Sequence, residues 1–426
     1  MTRHGGCAWA LALLLTASLG AQTTVFVASR VDATWVDDEH LWVQAGRRLH
    51  RLASIEGQAP VGRSAEGRSV PHEASFFDVR DGQALFVGDR AFGPATAGHD
   101  VDGTISPLLR RPLAGSPVRL PLLLDGGGFV VPGRPEFLCH WAVGSPPVAM
   151  TSPSGGALEL GWGIGDPLAV DLVVPHLLRY RAASRRGVVV GLDSRWALHF
   201  EDGGSVALMA PPRDDEIGIL EFPFSVPPVM GDLDGDGADD LVVVDPSAGS
   251  AAVYRQLADP APGPTRVILV SGLCLAAWVD DFDDDGQPDL GLLRARKPGF
   301  AGQLKILKEG LLNAEFLLYP GVPGEGLPKS PRLRVKVEVG IAIGIENETR
   351  EAAFTSMCVP RSGGLLASTP TGALMRYPWT GGDPVEVGVL PAGRALEAFV
   401  GHAVGNGCAF GWSDAGADRV VWVKDE

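Results

Sequence analysis

Residues 231–244 read GDLDGDGADDLVVV, an acidic turn that leads directly into a β-branched run. Counted from Asp232, aspartates stand at positions 1, 3, 5 and 9, and Gly237 stands at position 6. Oxygen ligands at alternating positions suit a hard cation such as Ca2+, which takes about six to eight oxygens in an irregular shell. Glycine adopts the positive φ that bends such a loop without the steric cost of a Cβ. The stretch therefore predicts a metal-binding loop followed by a strand.

A second copy of this pattern begins 49 residues later, where residues 281–293 read DFDDDGQPDLGLL. Aspartates again hold positions 1, 3, 5 and 9, and Gly286 holds position 6. Two copies are much harder to obtain by chance than one acidic run. The pattern predicts two Ca2+ sites, with Ala238 contributing its carbonyl. The predicted ligands are Asp232, Asp234, Asp236, Ala238, Asp240, Asp281, Asp283, Asp285, Gln287 and Asp289.

An EF-hand and a pair of acidic turns that bind no ion are the two other interpretations of these loops. An EF-hand requires a bidentate glutamate at position 12 and a helix on each side. Position 12 is Val243 in one loop and Leu292 in the other, both within expected strands, so the EF-hand is excluded. A pair of solvated acidic turns that bind no ion stays open as an alternative.

The two loops resemble the calcium loops of FG-GAP/VCBS repeats, which form the blades of integrin-α-type β-propellers and of many secreted bacterial proteins. The match is specific for 232–244 and good for 281–293, and elsewhere only the repeat spacing supports it. The resemblance implies four-stranded antiparallel blades in which the ion has a structural role. It predicts an all-β fold, a β-propeller of seven or alternatively eight blades.

Weaker echoes of the turn-and-strand pattern occur on both sides of the two loops, without the full set of aspartates. They lie at 35–43, 77–88, 124–131, 165–175, 339–345 and 414–423. We expect these units to keep the blade and to lack the metal. We also expect strands from the two ends of the chain to pair, which would protect otherwise open sheet edges. Residues 304–310 and 314–319 are interpreted as a hairpin rather than a helix.

The chain begins with features of a secretory signal peptide. Arg3 and His4 precede an apolar run at 8–17, and small residues follow up to Ala21. The run is too short for a stable membrane anchor. We therefore expect residues 1–21 to be a signal peptide and 22–426 to be a single propeller domain, exported to the periplasm, the cell surface or the medium, with no transmembrane segment.

Net charge, chain length and cysteine content limit the kinds of partner and of architecture that we expect for this chain. A net charge of −15 works against attraction to nucleic acid or to anionic lipid. The length of 426 residues exceeds what one ordinary core supports, which favours a repeat architecture. Four cysteines follow the leader, and free buried thiols and one or two disulfides both stay open for them. They are Cys139, Cys274, Cys358 and Cys408.

No sequence motif for catalysis is present: there is no G-x-S-x-G elbow, H-E-x-x-H or P-loop. The leading hypothesis is a monomeric, non-enzymatic binding or adhesion module for a protein or a glycan. The alternatives are a polysaccharide-degrading enzyme, such as a lyase, and a structural protein of the cell envelope. A cleft with convergent Arg, His, Tyr or Lys side chains would favour the enzyme. The tryptophans are interpreted mainly as core residues, with sugar stacking as the alternative.

Overall fold

The computed structural model describes most of residues 22–424 and places them in antiparallel sheets. Gaps of five or more residues lie at 63–67, 70–75, 100–121, 151–161, 210–225 and 297–305, and shorter ones fall in loops. The expected signal peptide at 1–21 lies outside the described residues. Within the described part, strands form nine sheets, which are numbered here in chain order. The all-β prediction is confirmed.

The first three sheets cover the N-terminal part of the chain. Sheet 1 contains β2 (Ala33–Val36), β3 (His40–Ala45), β4 (Arg48–Ile55), β5 (Gln58–Gly62) and β6 (Arg68–Ser69). Sheet 2 contains β7 (Phe76–Arg80), β8 (Gln83–Val87), β9 (Ala91–Gly93) and β10 (Thr96–His99). Sheet 3 contains β11 (Leu122–Leu123), β12 (Phe129–Pro132), β13 (Phe137–His140) and β14 (Val148–Met150).

The middle of the chain forms three further sheets. Sheet 4 contains only β15 (Trp162–Asp166) and β16 (Ala169–Leu172). Sheet 5 contains β17 (His176–Arg181), β18 (Arg186–Leu192), β19 (Arg195–Phe200) and β20 (Ser205–Leu208). Sheet 6 contains β21 (Val229–Gly231), β22 (Asp240–Asp245), β23 (Ser250–Tyr254) and β24 (Arg266–Leu269).

The last three sheets include strands from both ends of the chain. Sheet 7 contains β25 (Leu273–Asp280), β26 (Asp289–Ala295), β27 (Leu311–Tyr319), β28 (Leu333–Glu346) and β29 (Thr349–Phe354). Sheet 8 contains β30 (Cys358–Arg361), β31 (Gly364–Ser368), β32 (Ala373–Pro378) and β33 (Val385–Val389). Sheet 9 contains β1 (Gln22–Ala28), β34 (Gly393–Ala395), β35 (His402–Val404), β36 (Gly407–Asp414) and β37 (Asp418–Lys424).

The strands of sheets 2, 3, 5, 6, 7 and 8 follow one another in chain order, so each of these sheets is an up-and-down meander. Sheet 9 is different, because β1 from the start of the described chain pairs antiparallel with β37 at its end. The predicted pairing of strands from the two ends is therefore confirmed. The hairpin predicted at 304–319 is wrong in its first strand, because Ile306, Lys308 and Glu309 are helical. Its second strand is confirmed as Leu311–Tyr319.

Apolar side chains pack between neighbouring sheets rather than in one central core. Sheet 6 packs on sheet 7 through a cluster that includes Val242 and Leu292, and sheet 7 packs on sheet 8 through one that includes Phe316 and Leu365. Similar clusters join sheet 3 to sheet 5, sheet 5 to sheet 6, sheet 8 to sheet 9 and sheet 9 to sheet 1. Strand β7 of sheet 2 contacts both β2 of sheet 1 and β11 of sheet 3.

The buried residues decide two questions that the sequence left open. All four described cysteines are buried and free, so none of them forms a disulfide. Trp42, Trp196, Trp412 and Trp422 are buried, which agrees with the core interpretation for these tryptophans. Among the described residues, no helix has the length and apolar character needed to cross a membrane.

Candidate metal centres

The first aspartate loop connects two strands of sheet 6. Gly231 at the end of β21 lies opposite Asp240 at the start of β22, so residues 232–239 form the connection between paired strands. The β-branched run after Asp240 forms a strand because such side chains pack well on a pleated surface. The second loop connects β25 and β26 of sheet 7 in the same way, with Asp280 opposite Asp289.

The carboxylates at positions 1 and 5 make equivalent hydrogen bonds in both loops. At position 1, Asp232 accepts the N–H groups of Asp236 and Gly237 at 3.0 and 2.9 Å. Asp281 accepts those of Asp285 and Gly286 at 3.1 and 2.8 Å.

The position-5 carboxylate likewise accepts the N–H of position 7 at 2.8 Å in each loop. Gly237 and Gly286 have φ of 83° and 86°, as the sequence predicts for position 6. The two loops therefore share one local structure.

The first three aspartates of each loop converge. Asp232, Asp234 and Asp236 each offer a carboxylate oxygen, and these oxygens lie within 4.8 Å of one another. Asp281, Asp283 and Asp285 form an equivalent group. Three carboxylates at this spacing provide the hard oxygen donors that Ca2+ prefers. The structure thus brings together six of the predicted ligands as two groups of three.

Asp240 and Asp289, the predicted ligands at position 9, lie outside these groups of three. They are 1% and 0% exposed, and each accepts the N–H of position 2, from Leu233 or Phe282, at 3.1 Å. Burial raises the pKa of Asp240 to about 7, with the neighbouring carboxylates of Asp236 and Asp232 adding to the effect.

Burial likewise raises the pKa of Asp289 to about 6, and Asp283 and Asp285 also raise it. Each loop therefore concentrates negative charge that a bound cation would compensate.

The other two predicted ligands, Ala238 and Gln287, stand at position 7. Each donates its backbone N–H to the position-5 carboxylate. The side-chain amide of Gln287 reaches out of its own loop and donates to the carbonyl of Asp232 in the first loop. The two loops are thus in direct contact, which the sequence alone does not predict.

Two arginines that sequence reasoning missed pair with the aspartates at position 3. Arg255, directly after β23, contacts Asp234, and Arg332, directly before β28, contacts Asp283. Each arginine neutralises part of the charge of its loop. No spacing rule identifies them, because each is separated from its aspartate by at least one complete strand.

One buried atom tests whether the second loop suits a cation. Asp283 Oδ1 is buried, and no donor among the described residues reaches it, whereas the other oxygen of this carboxylate pairs with Arg332. A buried acceptor without a donor is costly, and an unseen ion is one recognised reason for it. The residues of this loop therefore fit a bound cation.

The turn at 320–326 supports both loops from sheet 7. Gly324 donates its N–H to the carbonyl of Asp234 at 2.6 Å, and Gly321 donates to Asp289 Oδ1 at 2.9 Å. The carbonyl of Glu325 accepts a hydrogen bond from Arg255 at 3.3 Å. One turn therefore contacts both loops.

No protein-family model and no curated protein matches this chain, so the resemblance to FG-GAP/VCBS repeats stays a prediction. Similar solved structures include the Nup133 β-propeller domain of Vanderwaltozyma polyspora, with 9% identity, coverage of 96% of this chain and 99% of that chain, and a TM-score of 0.45.

The WD40 domain of Neurospora crassa Pan2 has 9% identity, coverage of 95% and 96%, and a TM-score of 0.36. YCF48 bound to a D1 peptide has 10% identity, coverage of 95% and 95%, and a TM-score of 0.40. At these TM-scores the likeness carries no argument about how this chain works.

Proposed function

We propose that the chain is an exported, calcium-binding β-propeller that acts as a non-enzymatic binding module for a protein or a glycan. The observation that carries the metal assignment is the repeated loop, with three converging carboxylates and the same backbone hydrogen bonds in each copy. The ions are structural in this proposal, since the loops connect strands within adjacent sheets. The signal-peptide pattern of residues 1–21 supports export.

The packing of the sheets supports a ring of eight blades, the alternative blade number. Within the described residues, eight sheets have four or five strands, and sheet 4 has two. Each sheet contacts the next one in the order 1, 2, 3, 5, 6, 7, 8 and 9, and sheet 9 contacts sheet 1. In this arrangement β1 and β37 close the ring within one blade. Sheet 4 lies outside the succession, because sheet 3 packs directly on sheet 5.

A thermal melt tests the structural role of the ions. Chelated protein carries uncompensated carboxylates in both loops and should melt at least about 5 °C below the calcium-loaded form. Mg2+ should restore little of this difference because it demands a tighter octahedral shell. Equal melting temperatures with calcium and with chelator would contradict the proposal.

A further inference from the structure

The two aspartate loops differ at position 3, although their sequences predict equivalent sites. The side chain of Asp234 in the first loop is 0% exposed, and that of Asp283 in the second loop is 11% exposed. Each carboxylate contacts one arginine through its Oδ2 atom. The partner of Asp234 is Arg255, which is 26% exposed, and the partner of Asp283 is Arg332, which is 52% exposed. The pair in the first loop is therefore the more buried of the two.

The other oxygen of each position-3 carboxylate shows a second difference. In the first loop, Asp234 Oδ1 accepts the N–H of Asp236 at 3.2 Å. In the second loop, Asp283 Oδ1 is buried, and no donor among the described residues reaches it. Both oxygens of Asp234 are thus engaged within the protein, whereas Asp283 keeps one buried oxygen for a cation. An ion therefore meets less competition for this carboxylate in the second loop.

Arg255 is held beside the first loop by contacts other than the one with Asp234. Its Nη1 donates to the carbonyl of Glu325 at 3.3 Å. Gly326 lies against the same group, since a Cβ added there would be 3.5 Å from Arg255 Nη1. Movement of the guanidinium away from Asp234 would also break these contacts with the turn at 320–326. The positive charge is therefore fixed at the position-3 carboxylate.

A guanidinium beside a ligand carboxylate affects a bound cation in two opposite ways. It orients the carboxylate, which favours binding by no more than the worth of one hydrogen bond. It also repels the ion, and this repulsion is twice as large for a divalent as for a monovalent cation. Burial strengthens the repulsion, because the effective dielectric constant and the screening by salt both fall away from solvent. Repulsion therefore outweighs orientation, and it does so most at the fully buried Asp234.

We propose that Arg255 and Arg332 are internal counter-ions that set the calcium affinity of the two loops. Each arginine stabilises its loop without an ion and competes with Ca2+ for the position-3 carboxylate. The second loop fills first, and Arg255 keeps the first loop weak, so that it fills only at a higher calcium concentration. The inference rests on the proposed calcium binding and adds the order in which the two sites fill.

Titration calorimetry with Ca2+ on two single-site chains measures each affinity separately. Asp236→Ala leaves the second loop, and Asp285→Ala leaves the first. The second loop should bind at least about tenfold more tightly than the first. Arg255→Gln in the Asp285→Ala chain should tighten binding by the first loop about tenfold or more. Arg332→Gln in the Asp236→Ala chain should tighten binding by the second loop only about threefold, because this arginine is half exposed.

Two control variants separate the charge of Arg255 from other effects. Arg255→Lys in the Asp285→Ala chain keeps a positive charge beside Asp234, so calcium affinity should stay within about threefold of that of the Asp285→Ala chain. Arg419→Gln removes an arginine that pairs with Asp414 at 2.6 Å in sheet 9. This variant should leave the calcium affinity of either loop within about twofold of its original value.

Stability without calcium provides a second readout for the role of Arg255. Arg255→Gln leaves the buried carboxylate of Asp234 without its cationic partner, so the chelated variant should melt at a lower temperature than the chelated original chain. Calcium should then raise the melting temperature of the variant by more than it raises that of the original chain. A variant that folds only with calcium present would be the extreme form of this result and would support the proposal.

The outcomes distinguish this inference from the calcium assignment on which it rests. Equal affinities of the two single-site chains, or no gain in affinity from Arg255→Gln, would overturn the inference and leave the calcium sites in place. A gain from Arg255→Lys equal to that from Arg255→Gln would also overturn it, because the charge would then not be the cause. No calcium binding by the original chain would refute the proposed function together with this inference.

Discussion

The Arg294–Glu315 pair joins two strands of sheet 7 and also contacts sheet 6. Arg294 donates to Glu315 Oε2 from Nη2 at 2.6 Å and from Nε at 3.1 Å. Its remaining Nη1 donates to the carbonyl of Val270, which follows β24. The hydrogen bond from Arg294 lowers the pKa of Glu315 below its usual 4.5. The pair therefore stabilises the boundary between the two sheets that carry the aspartate loops.

Glu315→Gln should lower the free energy of unfolding by about 1–2 kcal/mol at neutral pH. Because the pKa of Glu315 is lowered by folding, its contribution is complete above 4.5 and disappears as pH falls through the folded pKa. Urea unfolding at pH 7 and at about pH 3 measures this difference. A stability gap of the same size at both pH values would show that the ionised pair is not its source.

Asp236→Ala should remove one ion site and leave the other. Asp236 supplies one of three converging carboxylates in the first loop, and the second loop has its own three. The number of bound calcium ions should fall from two to one, as measured by mass spectrometry under native conditions. The matched variant Asp285→Ala should have the same effect on the second loop. An unchanged ion count in either variant would refute the ligand assignment.

The convergence of the first three aspartates of each loop could be predicted, because their spacing follows from loop geometry. The burial of Asp240 and Asp289 is a further consequence of their position, since each is the first residue of an inner strand. Arg255 and Arg332 could not be predicted, because their proximity to the loops depends on how distant strands pair.

At the scale of elements, the hairpin between β22 and β23 lies close to the turn that precedes β25. Gly249 in this hairpin has φ of 61°, and a Cβ there would lie 1.9 Å from the carbonyl oxygen of Gly272. The N–H of Val270 donates to the carbonyl of Gly249 at 2.8 Å. The contact between sheets 6 and 7 at this end therefore depends on a residue without a side chain.

Gly249→Ala should destabilise the protein by about 2 kcal/mol or more, because the new methyl group meets backbone that cannot rotate away. The matched control is Gly363→Ala in the turn between β30 and β31, where φ is 81° and no atom of the described residues lies within 4 Å of the added Cβ. Gly363→Ala should lower the free energy of unfolding only by the backbone strain of alanine at positive φ, about 1–2 kcal/mol. Chemical unfolding compares the two, and equal losses would contradict the proposed steric contact.

Over the whole molecule, the pairing of β1 with β37 connects the two ends of the described chain. Val25, Phe26 and Ala28 of β1 pack against the cluster shared by sheets 9 and 1. Beyond the strand, the N–H of Val31 donates to Asp418 at 2.9 Å. Removal of β1 would expose the edge of β37 and part of this cluster.

A chain without residues 1–28 should melt at lower temperature and aggregate more than a chain without residues 1–21, because an unpaired edge strand associates with other chains. Light scattering during a thermal melt measures both effects. Identical melting and scattering of the two chains would show that β1 does not stabilise the sheet.

The overall organisation could be predicted only in part. Turn signals followed by apolar runs predict strands, and the echo at 414–423 coincides with parts of β36 and β37. The echo at 165–175 overlaps sheet 4, for which two strands are described, Trp162–Asp166 and Ala169–Leu172. Period alone does not tell whether a strand pair finds further partners. The blade number could not be fixed, since loops of variable length separate units of similar size.

Titration calorimetry with Ca2+ on the chelated protein tests the central claim most directly. Each loop contains one set of three converging carboxylates, and these two sets predict a stoichiometry of two ions per chain. Binding of two ions would establish both loops as metal sites. The absence of any calcium binding would contradict this account and leave both loops as acidic turns held by Arg255 and Arg332.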